Sequence, residues 1–195
     1  MNAIILHGKP SKEEYYDLQA PSMSNAHWLP WLQAQLLKKD IAAATPEVPN
    51  SYSPEWDTWV TEVERFEIGP ETILVGHSCG GGFWIRYLSE RPNLQIKKLI
   101  LVAPWIDPDG DETGSFFEFT MDKNLAERAS RGIIIFNSDN DMGNILKTVA
   151  KIREEVEDVA YKEFHKYGHF TSKSIGTTEF PELLAECSDS MVGAA

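Results

Sequence analysis

Residues 72–82 read TILVGHSCGGG, and this stretch decides the fold. The β-branched and apolar residues 72–75 are typical of a strand buried in a parallel sheet. Residues 83–88 (FWIRYL) predict the first turns of a helix. Between them lies a G-x-S-x-G pentapeptide, at a sharp turn from strand to helix. A serine on such a turn exposes its hydroxyl beside the helix N-terminus, so Ser78 is predicted to be a nucleophile.

The competing interpretation is an ordinary glycine-rich turn, since a bare G-x-S-x-G also occurs by chance. The strand before the pentapeptide and the helix after it favour the nucleophile, because this context is what the motif requires. The glycines fit a strained turn, where flanking side chains would clash.

Apolar runs and helical spacing alternate along the rest of the chain. Strands are predicted at residues 3–6, 40–44, 72–75, 97–102, 132–136 and 160–165. Helices are predicted at 24–39, 53–66, 83–90, 145–156 and 181–187, with Pro54 in the first helical position of the second. Leu37 and Leu146 are expected on buried helix faces. This alternation predicts one α/β domain over 1–195, with about six mainly parallel strands in a doubly wound sheet and helices on both faces.

Composition narrows the function classes. The 195 residues carry a net charge of −12, which argues against nucleic acid and anionic membrane surfaces as partners. No apolar stretch approaches the length of a membrane span, and the N-terminus does not resemble a signal peptide. With two cysteines, a reduced, cytoplasmic location is expected. No cofactor or metal is expected; DPDGDET at 107–113 lacks the glutamate of a calcium loop.

A nucleophilic serine needs a base, and the chain after Ser78 holds only His165 and His169. His169 follows the last predicted strand on a loop that Gly168 lets turn sharply, whereas His165 lies at the end of the strand. We expect His169 to be the base. A surface or structural histidine is the alternative for either.

The acid is expected just past the strand that ends at Phe136, where residues 137–141 read NSDND. Asp141 is favoured by similarity to hydrolases that carry their serine on such a turn, which place the acid a few residues beyond the strand, where the chain turns toward the histidine loop. Asp139 stays an alternative, although an aspartate there can instead cap a turn. The role of the acid is to orient the imidazole and stabilise its protonated form.

Other site residues follow from the ends of the predicted strands. The backbone N–H groups of Cys79 and Lys9 are the predicted oxyanion donors, since Pro10 has no N–H. The Cys79 side chain is expected to point elsewhere. Trp105 follows a strand and is expected to wall the substrate pocket. Residues 107–122 either cover the site as a lid or form a solvated loop.

Taken together, these motifs resemble a known family, the small serine hydrolases of the alpha/beta-hydrolase fold that include YdeN and retinoblastoma-binding protein 9. The matching segments are His7-Gly8, NAHWLPWL at 25–32, PEWDTW at 54–59, VGHSCGG at 75–81, SDND at 138–141 and YGHF at 167–170. The resemblance covers nearly the whole chain. It implies an alpha/beta-hydrolase-like three-layer sandwich with little or no cap and a triad of Ser78, Asp141 and His169. Two departures are a longer segment at 9–23 and MGN at 142–144 after the acid.

The leading hypothesis is a serine hydrolase that cleaves a small carboxylic ester through an acyl-enzyme on Ser78. One alternative is a hydrolase-fold module of low activity that binds a protein partner, although no sequence feature indicates such a partner. Another is an acyltransferase or thioesterase, which would use the same acyl-enzyme.

Overall fold

A computed structural model describes residues 1–188, and its centre is one sheet of six parallel strands. The strands are β1 (Asn2–Leu6), β2 (Ala42–Ala44), β3 (Thr72–His77), β4 (Lys98–Val102), β5 (Ile133–Ser138) and β6 (Val159–Phe164). Their order across the sheet is β2-β1-β3-β4-β5-β6. The predicted α/β fold with about six strands is confirmed, including the weak strand expected near residues 40–44.

The burial of each strand explains its sequence pattern. β3 and β4 lie inside the sheet and are buried at every residue, which accounts for their continuous apolar runs. β6 lies at the edge, and only Phe164 in it is fully buried. Its mixture of polar and apolar residues therefore belongs to a strand with one neighbour.

Seven α-helices connect or follow the strands within residues 1–188. They are α1 (Lys12–Tyr16), α2 (Leu29–Leu37), α3 (Trp56–Val63), α4 (Cys79–Ser89), α5 (Gly143–Glu155), α6 (Ser172–Ile175) and α7 (Pro181–Ser188). Right-handed crossovers place α2 on one face and α3, α4 and α5 on the other. Accordingly, α2 packs on α7, and Trp59 of α3 lies 5.6 Å from Phe83 of α4.

The chain leaves β1 toward β2 and then returns past β1 to form β3. This reversal opens a crevice at the carboxyl ends of β1 and β3, which is where open α/β sheets place their sites. β5 and β6 end at the same edge, so the loops after β1, β3, β5 and β6 converge there, as the sequence predicts.

Several helix predictions need correction. The helix expected over 24–39 is split: a 3-10 turn covers Met23–Asn25, and α2 begins only at Leu29. His27 lies between them with φ of 56°, which interrupts a right-handed helix. α3 begins at Trp56, so Pro54 precedes the helix and does not occupy its first position.

Two short helices and two exposed leucines also differ from the predictions. α1 and α6 have no buried residues, so neither has an apolar pattern from which a helix could be predicted. Leu37 and Leu146 are exposed to 52% and 37%, although their spacing suggested a buried face.

The segment between β4 and β5 contains two 3-10 turns and no α-helix, in keeping with a fold that has little or no cap. The first turn, Gly114–Phe117, is anchored by Phe116, which is buried against Trp59 and Phe83. Arg86 also donates hydrogen bonds to the carbonyls of Ser115 and Phe116. This part of the 107–122 segment is therefore packed onto the core.

No helix among the described residues combines the length and apolar character that crossing a bilayer requires.

Gly80→Ala is expected to lower the free energy of unfolding by about 1–3 kcal/mol, because α4 lies too close to β1 for a side chain. The added Cβ would overlap the carbonyl oxygen of His7 and lie 2.7 Å from that of Leu6. Gly143→Ala is the matched control, since no heavy atom lies within 4 Å of a Cβ there. It should be neutral or stabilising by up to about 1 kcal/mol. Urea unfolding measures both; equal effects would contradict the close approach.

Candidate active site

Ser78 occupies a strained turn between β3 and α4. Its backbone has φ of 53° and ψ of −121°, a conformation that costs a non-glycine residue about 1–3 kcal/mol. The Ser78 N–H donates to the carbonyl of Val102 at 3.0 Å, and the Ser78 carbonyl accepts N–H groups from Gly81, Gly82 and Trp105. These four hydrogen bonds hold the turn in place, and with it the serine.

The loop after β1 lies directly against this serine. A Cβ added to Gly8 would lie 3.0 Å from the Cβ of Ser78 and 3.5 Å from its hydroxyl oxygen. Gly8 therefore leaves room for the hydroxyl and brings Lys9 into the same pocket. Within residues 1–188, the N–H groups of Lys9 and Cys79 donate to no protein acceptor. Both are thus free to donate to a ligand oxygen.

The Cys79 thiol itself is fully buried, and burial raises its pKa. A buried neutral thiol of this kind is a poor nucleophile, so the side chain next to Ser78 adds a packing contact.

His169 and Asp141 form a close pair beside Ser78. The Nδ1 of His169 lies 3.1 and 3.2 Å from the two carboxylate oxygens of Asp141. The Asp141 side chain is fully buried, whereas that of His169 is 20% exposed. His169 lines the same pocket as Ser78, although no hydrogen bond joins the two in the part of the chain that the structure describes.

Asp139 pairs with the other histidine. Its Oδ2 lies 2.9 Å from Nδ1 of His165, whose side chain is 80% exposed. Hydrogen bonding to the Lys166 N–H, followed by that to His165, lowers the pKa of Asp139, and the Asp139 hydrogen bond raises the pKa of His165. The structure thus brings Asp141 to His169 and places Asp139 and His165 together at the surface.

Residues 138–141 hold the loop that carries His169. The side chains of Asp139, Ser138 and Asn140 accept the N–H groups of residues 166, 167 and 168, in that order, each at 2.9 Å. We call this set of three hydrogen bonds the loop clamp. Because the clamp ends immediately before His169, it sets where the imidazole meets Asp141.

Two further groups hold the histidine loop from the core side. His77 donates from Nε2 to the carbonyl of His169 at 2.8 Å, and their ring centroids lie 4.9 Å apart. The indole N–H of Trp28 donates to the carbonyl of Phe170 at 3.0 Å. The carbonyl of His169 itself and that of the next residue are therefore both fixed.

His77 and His7 are neutral structural histidines. Burial, with the nearby His169 and His27, lowers the pKa of His77 well below 6.5. Burial also lowers the pKa of His7. His7 donates from Nδ1 to the Gly8 carbonyl and accepts the N–H of Val48 at Nε2, so both ring nitrogens are used within the fold.

The pocket beside Ser78 has a volume of about 220 Å³. It is lined by Lys9, Ser78, Trp105, Glu112, Met142, Asn144, Ile145 and His169. Trp105 therefore lies where the sequence suggested, against Phe117 of the segment after β4. Lys9 and Glu112 face each other here, with Nζ 3.5 Å from Oε2.

Sequence reasoning missed four of these lining residues. Glu112 lies far from Ser78 in sequence and is part of no motif. Met142, Asn144 and Ile145 follow Asp141, and the start of α5 at Gly143 places them beside the pocket. Their closeness to Asp141 in sequence was the one signal that could have found them.

The arrangement has the parts needed for acyl transfer. A hydroxyl at a helix N-terminus, two unpaired N–H groups and an imidazole held by a buried carboxylate can attack a carbonyl and receive its oxyanion. Among the described residues, no three His, Cys, Asp or Glu side chains are grouped to hold a metal ion.

A sequence model of the serine hydrolase family matches residues 21–187. The chain belongs to the serine hydrolase family. Ser78, Asp141 and His169 all lie within the matched region, as do Cys79 and Trp105. The family resemblance inferred from the sequence motifs is thereby confirmed.

Relatives of this serine hydrolase support the same family and fold. It is 26% identical over 167 residues to YdeN of Bacillus subtilis (strain 168), a protein assigned as a hydrolase, covering 81% of this chain and 85% of YdeN. The YdeN crystal structure superimposes with a TM-score of 0.79 at 22% identity, covering 98% of this chain and 99% of YdeN.

Two more solved structures share the fold. A YdeN-like hydrolase from Pectobacterium atrosepticum gives a TM-score of 0.64 at 18% identity, with 98% of this chain and 91% of that one covered. A serine hydrolase from the bacterium Cycloclasticus zankles gives 0.62 at 17% identity, with 100% and 92% covered.

Acidification from about pH 7 to about pH 5.5 is expected to reduce the free energy of unfolding. The unfolded chain binds protons at His7 and His77 as the pH falls through about 6.5, whereas the folded chain binds fewer there because burial lowers the pKa of both. Each of these two histidines then lowers the free energy of unfolding by up to about 1.4 kcal/mol per pH unit. Urea unfolding across this range measures the slope, which should be shallower for His77→Gln. An unchanged slope would contradict a neutral His77.

Proposed function

We propose that this serine hydrolase cleaves small carboxylic esters through an acyl-enzyme on Ser78. The observation that carries the proposal is the buried Asp141 paired with His169 in the pocket that also contains Ser78. This pair supports the use of His169 as the base and Asp141 as the group that orients it.

In the first half of the reaction, His169 takes the proton of the Ser78 hydroxyl as its oxygen attacks the ester carbonyl. The N–H groups of Cys79 and Lys9 receive the oxyanion, and each such donor contributes on the order of 3 kcal/mol to the transition state. The C–O bond to the alcohol then breaks, and His169 returns the proton to the departing alkoxide. An acyl-enzyme and a free alcohol result.

In the second half, water replaces the alcohol. His169 takes a proton from the water as it attacks the acyl carbonyl, the oxyanion forms again at the same N–H groups, and the bond to Ser78 breaks with the proton returned to its oxygen. The products are a carboxylic acid and the regenerated hydroxyl. If a thiol ester enters or another alcohol replaces water, the same residues act as a thioesterase or acyltransferase.

The pocket supports a small substrate. Its volume of about 220 Å³ is below the range of roughly 300–1,000 Å³ typical of drug-sized ligands. Ile145 and Trp105 give it an apolar wall. Both cysteines are free thiols, which supports the cytoplasmic location that we include in the proposal. The mechanism uses no cofactor and no protein partner.

Asp141→Asn is expected to lower kcat/KM for short-chain nitrophenyl esters between about 10²- and 10⁴-fold, because the imidazole loses the carboxylate that fixes its tautomer. Asp139→Asn is the matched control, because it makes the same substitution two residues away. Its kcat/KM should fall by less than about fivefold, since the Asn side chain still accepts the Lys166 N–H. Equal losses in the two variants would contradict Asp141 as the acid.

Ser78→Ala is expected to abolish labelling by a fluorophosphonate probe, since the probe bonds to the activated hydroxyl. His169→Gln should label on the order of 10²-fold more slowly or worse, whereas His165→Gln should label as the wild type does. Labelling followed by peptide mapping gives the site and the rate. Strong labelling of Ser78→Ala would overturn the nucleophile. A wild type that labels but cleaves no ester or thioester of any acyl length would favour a binding module.

A further inference from the structure

Lys9 places a positive charge inside the pocket. Of the described residues that line the pocket, it is the only one with a lysine or arginine side chain. The Lys9 side chain is only 20% exposed, and its Nζ lies 5.8 Å from the centre of the Trp105 ring. The same residue supplies the proposed oxyanion N–H. Its ammonium group is therefore held close to the ester that Ser78 would attack.

The partner of this ammonium is the carboxylate of Glu112. The two residues are 103 positions apart, and a single oxygen of Glu112 reaches Nζ, at 3.5 Å. The Glu112 side chain is 47% exposed. An ion pair this long and this exposed contributes only about 0–1 kcal/mol, so another carboxylate can replace it.

The backbone of Glu112 is held more firmly than its side chain. Asp107 accepts the N–H groups of Glu112 and Thr113 on Oδ2, at 3.0 and 2.9 Å. These bonds help lower the pKa of Asp107 even though burial acts to raise it. The Glu112 carboxylate can therefore turn into solvent about a fixed backbone and leave Lys9 without a partner.

We propose that Lys9 selects esters that carry a second, free carboxylate, and that Glu112 occupies the place of that carboxylate when no substrate is bound. This inference rests on the ester hydrolysis proposed above and names the class of substrate, the monoesters of short dicarboxylic acids. Water and the monoester give the dicarboxylate and an alcohol, and the second carboxylate takes no part in bond making or breaking.

The position of the two charges favours an anionic substrate over a cationic one. Lys9 adjoins Gly8, where an added Cβ would lie 3.0 Å from that of Ser78, whereas Glu112 lies on the outer, more exposed side of the pocket. A substrate that reaches Ser78 therefore lies nearer to the positive charge of Lys9 than to the negative charge of Glu112. Since the whole chain carries a charge of −12, the wider field repels anions, and Lys9 acts through local pairing with the bound ester.

The test compares monoethyl succinate with ethyl butyrate, two four-carbon acyl esters that differ in one carboxylate. Acid release in a pH-stat gives kcat/KM for each, and their ratio is the readout. Glu112→Gln should raise the ratio about three- to tenfold by freeing Lys9, and Lys9→Met should lower it about tenfold. Glu118→Gln is the matched control on the same segment, outside the pocket lining, and should leave the ratio within about twofold.

A ratio that Glu112→Gln and Lys9→Met both leave unchanged would overturn the inference. So would a preference for the ethyl ester of 4-(trimethylammonio)butyrate that Glu112→Gln abolishes, because the substrate would then pair with Glu112. Neither outcome contradicts the proposed ester hydrolysis. That proposal has its own test, and it is wrong if Ser78→Ala cleaves these esters as fast as the wild type does.

Binding to the Ser78→Ala variant tests Lys9 without turnover. Saturation-transfer NMR gives the Kd of each intact ester. Adding Lys9→Met should raise the Kd of monoethyl succinate about five- to tenfold and change the Kd of ethyl butyrate by less than about twofold. Equal changes for the two esters would overturn the inference even in a protein that hydrolyses neither.

Discussion

The backbone of Ser78 is the constraint on which the rest of the site depends. Its left-handed conformation is held by the Val102 carbonyl on one side and by three N–H groups on the other. This turn allows α4 to start immediately after β3 and to run so close to β1 that Gly80 has no room for a Cβ. The same closeness brings the loop after β1 against the serine, and the Lys9 N–H of that loop has no acceptor within residues 1–188.

A second constraint positions the imidazole of His169. The loop clamp ties the end of β5 to the loop after β6, and those strands pair in register up to Ser138 and Phe164. The clamp engages Asp139 fully, with the Lys166 N–H on one oxygen and His165 on the other. Asp141 is then the carboxylate that remains to meet His169. The choice between the two aspartates is thus made by backbone hydrogen bonds, which the sequence does not display.

Local patterns were enough to predict most of the frame and which segments meet beside Ser78. Each inner strand is a continuous apolar run, and the G-x-S-x-G pentapeptide is self-contained, so neither needs tertiary information. The place of His169 in the same pocket as Ser78 followed from its position after the last strand. The Lys9–Glu112 pair and the hydrogen bond from His77 to His169 could not be predicted, because they join segments about 100 residues apart. Leu37 and Leu146 were misplaced because apolar spacing marks a helix face, whereas the neighbouring elements decide how far it is covered.

The loop clamp is more sensitive to substitutions on one of its two sides than on the other, because one side contributes side chains and the other contributes backbone N–H groups. The described bonds run from peptide N–H groups at 166–168 to side chains at 138–140. Exchanging the Lys166 side chain keeps every one of those donors, whereas Asn140→Ala removes an acceptor without altering any residue of the histidine loop. The position of the His169 imidazole therefore depends on side chains of the loop that carries Asp141. Homologues can therefore differ at residue 166 and keep the imidazole of His169 in place. A substitution at 138 or 140 would displace that imidazole although the substituted residue lies in another loop.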